Sequence, residues 1–171
     1  MGRIKDRYTF YYHEQIGRQV AELICQRLRL SNAERDHIEW LVEKHQFLSD
    51  ARKMRTAKLK TILAHPGIRD LLALHRADAL ASDHSTDHVD YCLYLLHEWS
   101  EEDLNPPMIL TGHDLTRRGL EPGPQFKYLL NAVREAQLDG IIKSKKEALE
   151  LVDSLSGRTA PEVEDTPSSD S

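Results

Sequence analysis

The sequence predicts an all-α protein built as a multi-helix bundle followed by a smaller helical domain. Three observations carry this. Apolar residues recur at helical spacing in the long stretches, helix start and stop signals recur between them, and period-two alternation is absent. The short run "PPMIL" is too proline-bound to seed a sheet.

The elements follow in order. In "HEQIGRQVAELICQRLRL" (13–30), Ile16, Val20, Leu23, Ile24 and Leu28 line one face of an amphipathic helix. Ser31 with Glu34 three residues later is a capping box opening a second helix with Ile38, Leu41, Val42 and His45 on one side, so the pair forms a hairpin. A third helix is expected from about Arg52 to Ala64, stopped by Pro66-Gly67, and a fourth over 68–81. A fifth starts near Asp87, which serves as its cap, and ends before Asn105-Pro106-Pro107.

Beyond the double proline the texture changes to short helices punctuated by glycine and proline. Thr111 caps "GHDLTRR", which Gly119 ends, and Pro124 suits the first turn of "PQFKYLLNAVREAQLD", ended by Gly140. Ser144 and Glu147 form a second capping box before "KKEALELVDSL". The expected division is 1–104, 105–156 and a polar, disordered acidic tail over 157–171.

A chain of 171 residues buries a core without metal or disulfide staples. Cys25 and Cys92 lie far apart among apolar residues and read as reduced core thiols, which points to the cytoplasm. No apolar run approaches the ~20 residues of a membrane helix, and the amino terminus has no signal-peptide core, so the expectation is a soluble protein that is not exported.

The net charge is −5, but its distribution matters more than its sum. From Gly157 onward Glu162, Glu164, Asp165 and Asp170 stand against Arg158, which accounts for three of the five negative charges. In the nearly neutral remainder, "ARKMRTAKLK" carries Arg52, Lys53, Arg55, Lys58 and Lys60 with no acid. That pattern fits a solvated helix face or, more sharply, a phosphate-facing one.

Three histidine-rich places compete for a metal. Asp83, His84, Asp87 and His88 have suitable types, but a helix start explains them equally well. His113-Asp114 has the form of a phosphohydrolase dyad, yet one dipeptide in a short capped helix supplies too few ligands, and an Asp there suits the helix dipole. His13, His45 and Asp78 fall on three different helices.

A family resemblance enters on "RYTFYYHEQIG", "RLRLSNAERDHIEWLVEKH", "LLALHRADALA" and the long "PPMILTGHDLTRRGLEPGPQFKYLLNAVREAQLDGIIKSKKEAL". Over residues 8 to about 152 the chain resembles the carboxy-terminal, HD-like body and tail of the bacterial tRNA nucleotidyltransferase (CCA-adding) and poly(A) polymerase family. The resemblance implies a catalytic head amino-terminal to this region, with a D-x-D pair that this sequence lacks, so the chain is expected to be inactive alone. No cofactor is expected in it; magnesium would belong to the head. The family's His-Asp dyad would lie upstream of "RYTFYYHE". His13, His45 and Asp78 resemble the later positions of an HD ligand set and make a partial one, better read as histidines hydrogen-bonded across the bundle, with Asp78 orienting one of them or capping a helix. A metal-dependent HD-type phosphohydrolase is the competing reading.

The resemblance, together with the charges, implies an RNA-holding role. Around the PGP turn, the helix start at Pro124 offers free N–H groups, Arg117 and Arg118 precede it, Lys127 lies one turn inside it, and Lys143, Lys145 and Lys146 flank the next start. With Arg52, Lys53 and Arg55 these are the expected phosphate-binding residues. Lys127 departs from the family, whose members tend to carry a small residue there. The expected partners are tRNA or another structured RNA and a nucleotidyltransferase head domain. The chain is expected to be either a fragment of a longer protein or the product of a truncated gene.

Overall fold

A computed structural model describes residues 13–157, with side chains from 16 onward. The described residues are helical with no strand, in agreement with the sequence. The segment "RYTFYY" and the acidic tail beyond Gly157 lie outside them. The helices are α1 (His13–Arg27), α2 (Asn32–Lys44), α3 (Thr56–Leu63), α4 (Ile68–Ala81), α5 (Asp87–Glu98), α6 (Glu101–Leu104), α7 (Gly112–Arg117), α8 (Pro124–Leu138) and α9 (Lys145–Ser156).

The chain divides into two units, one made of residues 1–54 and 62–100, the other of 55–61 and 101–171. The division falls at Ser100/Glu101 rather than at the expected 104/105, and it also takes 55–61 into the second unit.

In the first unit α1 and α2 form the expected hairpin. Gly17 gives α1 its close approach to α2, since a Cβ there would stand 3.2 Å from Val42 Cγ1. Glu39 is buried at this seam and accepts from Arg18 Nε at 3.1 Å, with Arg35 Nε at 3.7 Å, so its charge is paired from both sides. The Ser31–Glu34 box is present: the Glu34 N–H donates to Ser31 Oγ and Glu34 Oε2 accepts the Ser31 N–H at 2.8 Å. Pro66-Gly67 turns the chain into α4, and a side chain at Gly67 would meet the His37 ring at 2.8 Å. Beside it Trp40 and His65 stack with centroids 3.7 Å apart. Leu48, Leu63, Leu71, Val89 and Cys92 are fully buried.

The second unit packs α7, α8 and α9 around Leu110, Leu115, Leu129, Val133, Ala148 and Val152. The double proline is held by α8. Arg134 Nη1 donates to the Pro106 carbonyl at 2.6 Å, and the Gln137 amide donates to that of Pro107 at 2.7 Å. Gly119, Gly140 and Gly157 all take positive φ where α7, α8 and α9 end, the conformation that favours glycine at a helix C-terminus.

Two local expectations are corrected. The basic run is not one helix. Residues 51–53 form a 3-10 turn, Met54 is extended, and α3 begins at Thr56. The reason is a distant acceptor: Asp139 Oδ1 accepts the Ala57 N–H at 2.7 Å, satisfying an orphan donor at the start of α3. The cap residue of α5 is Thr86, with Asp87 the first helical residue and its N–H bonded to Ser85 Oγ at 3.1 Å.

Candidate nucleic-acid interface

The second unit gathers cations around the starts of α8 and α9. Arg117, Arg118 and Lys145 line one small cavity of about 200 Å³ together with Asp114 and Leu149. Arg117 and Arg118 arrive there on the last turn and cap of α7, Lys145 on the first residue of α9. The capping chemistry positions both helices. Asp114 Oδ2 accepts the Thr111 N–H and hydroxyl at 2.9 Å each. Ser144 Oγ accepts the Glu147 N–H at 3.3 Å, while Glu147 reaches one residue further back than a standard box, to the Lys143 N–H at 2.6 Å.

The acid of the His-Asp dipeptide is consumed by this scaffolding. Lys145 Nζ donates to Asp114 Oδ1 at 2.6 Å, and that contact together with the two from Thr111 holds the Asp114 carboxyl well below the usual range. His113 is exposed beside it.

The predicted phosphate-binding cations fall into two groups. Arg118 grips the buried Asp153 with two donors, and Lys145 is paired to Asp114. Arg55 is engaged by Glu135 at 3.2 Å and by Asp139. Burial would raise the Asp139 carboxyl, but Arg55 and the Ala57 N–H outweigh it and lower it. Lys53 pairs with Asp50 at 2.7 Å. Arg52 lies over the Tyr91 ring at 4.4 Å. Among the described residues no carboxylate lies within ion-pair distance of Arg117, Lys127 or Lys146, and all three side chains are exposed. Lys143 is exposed as well, and Pro124 stands at the exposed first position of α8. Its Gly123 cap residue has extended backbone and makes no side-chain cap bond.

The other candidate ligands lie in the first unit. His45 Nδ1 bonds the Val42 carbonyl of its own helix end at 2.6 Å. Asp78 lines a different feature, a cavity of about 590 Å³ shared with Arg52, Lys53, His75, His84, Asp87 and His88. Burial lowers the pKa of His75 there, and its ring meets that of His88 edge-on at 5.3 Å. Among the described residues no group of three or more His, Cys, Asp or Glu side chains is placed to hold a metal ion. The His13 side chain lies outside them.

Asp139 and Asp153 escaped the sequence reading. The one available signal was an acid next to an apolar core position, Leu138 and Val152 respectively. That signal shows burial but does not name a partner.

The chain is similar to the A-adding tRNA nucleotidyltransferase of Deinococcus radiodurans, with 29% identity over 157 residues covering 85% of this chain and 35% of the relative. It therefore spans about a third of that relative's length. No family model matches the chain, and no solved structure matches it.

Proposed function

We propose that this chain is the RNA-holding part of a tRNA nucleotidyltransferase-like protein, gripping the phosphate backbone of tRNA while a separate head domain performs nucleotidyl transfer. Supporting it is the similarity to a tRNA nucleotidyltransferase together with the convergence of Arg117, Arg118 and Lys145 on one cavity from two helix ends. The division of labour among the cations gives the proposal its shape. Arg118 and Lys145 fix the frame through Asp153 and Asp114, and Arg117, Lys127 and Lys146 are left with their charge free for phosphates. Backbone contacts of this kind set position and register without reading sequence, and A-form RNA presents chiefly phosphates and 2′-hydroxyls to such a surface. Positioning is the catalytic contribution, since holding an acceptor end near a reactive centre lowers a barrier without chemistry from the holder. Magnesium and the transferred nucleotide belong to the head, and no cofactor is assigned to this chain.

Phosphate-ethylation interference on tRNA bound to the chain tests the role. The expected result is interference at a cluster of backbone phosphates, without protection of base edges. Absence of any tRNA complex at low salt would refute it.

A further inference from the structure

α1 carries more apolar surface than α2 covers. On its α2 side Cys25 is buried and Gly17 approaches Val42. Around the helix from these, Ile16, Val20, Leu23, Ile24 and Leu28 are 59%, 48%, 66%, 52% and 64% exposed. Five large aliphatic side chains within four turns make a contiguous patch, not the scattered apolar residues of an ordinary surface, and patches of about 300–600 Å² on a single chain usually mark an interaction site.

We propose that this face is covered by the same face of a second copy of the chain, in an antiparallel α1–α1 pairing. The spacing is self-complementary, as a two-fold interface requires. Placing the axis at position 22 sets Ile16 opposite Leu28 and Val20 opposite Ile24 of the other copy, with Leu23 at the centre. Rows of side chains four apart interdigitate when two helices cross at about −50°.

The charges permit it. Arg18 is turned away to Glu39 and Glu43 of its own hairpin. Glu22 accepts from Gln26 on the flank. Arg27 shares the apolar face but lies five residues from the axis, so the two copies stand about 15 Å apart along the helices, beyond the screening length of about 8 Å at physiological salt. Two such patches together bury about 1,000 Å², the lower limit for a specific interface. The association is accordingly expected to be weak and concentration-dependent.

Sedimentation velocity of the whole chain, from low micromolar to near-millimolar concentration, reads the result. The wild type should shift reversibly from monomer to dimer. Leu23→Glu should remain monomeric with unchanged helical circular dichroism, and Leu80→Glu, an equally exposed leucine on α4, should dimerise as the wild type does. A Val20→Cys/Ile24→Cys variant should form an intermolecular disulfide on mild oxidation. A wild type monomeric throughout overturns the proposal. So does a dimer that survives Leu23→Glu, which would place the interface elsewhere.

Discussion

Arg118 and Asp153 form a two-donor ion pair across 35 residues, with Arg118 Nε 3.2 Å from Asp153 Oδ1 and the Asp153 side chain 4% exposed. A buried carboxylate left without its partner is strongly destabilising. Arg118→Ala is therefore expected to lower the thermal unfolding midpoint clearly, whereas Arg117→Ala, one residue earlier and without an ion-pair partner among the described residues, should leave it almost unchanged. Equal midpoints for the two variants in a differential scanning experiment would show that the pair does not hold α9.

Asp139 acts at the start of α3 as a cap supplied from 82 residues away, and it pairs with Arg55 as well. Asp139→Ala removes both contacts and is expected to cost about 1–2 kcal/mol in urea unfolding, the range for a lost N-terminal cap. Asp139→Asn keeps an acceptor for the Ala57 N–H and should recover part of that loss. If Asn and Ala behave alike, the backbone contact contributes nothing.

Acid should weaken the second unit through two carboxyls. Asp114 and Asp139 both have folded pKa values lowered, the first by Lys145 and Thr111, the second by Arg55 and the Ala57 N–H against the opposing effect of burial. A group depressed on folding contributes its full stability above its unfolded pKa, near ~3.9 for Asp, and loses it as pH falls toward the folded value. Unfolding free energy should be flat in these two groups above about pH 5 and fall below it. Asp114→Asn should reduce the slope of that fall, measured by denaturant titration at a series of pH values; an unchanged slope would remove Asp114 from the account.

The thiols give a probe of the first unit. Cys25 and Cys92 are both free and buried, and burial pushes the Cys92 thiol up to about 11. Because the thiolate is the reactive form, neither should react with an aromatic disulfide reagent at neutral pH until denaturant is added. Rapid reaction of one thiol in the native chain would show that its part of the core opens.

The helices were legible in the sequence because their causes are local. Ser31 with Glu34, Thr111 with Asp114 and the glycines at 119 and 140 act within a few residues, and α4 begins and ends where its sequence says. The basic run from Ala51 was misread as one helix because its break depends on Asp139, far along the chain. The same distance hid the sorting of the candidate site. Arg117 and Arg118 are adjacent and chemically identical, and the sequence gives no sign that Asp153 binds one and leaves the other. The pattern on α1 was plain as an apolar stripe, but a stripe does not say whether α2 covers all of it, and here five of its residues remain in solvent.

The salt dependence of tRNA binding tests the central claim most directly. Each phosphate neutralised on a duplex contributes about 0.9 to the magnitude of the log–log slope. For the whole chain, affinity should fall steeply as salt rises, and the Arg117→Glu/Lys127→Glu/Lys146→Glu variant, folded as judged by its circular dichroism, should bind more weakly with a slope smaller in magnitude by about 2–3. A variant with the affinity and slope of the wild type would contradict the assignment of this surface to RNA.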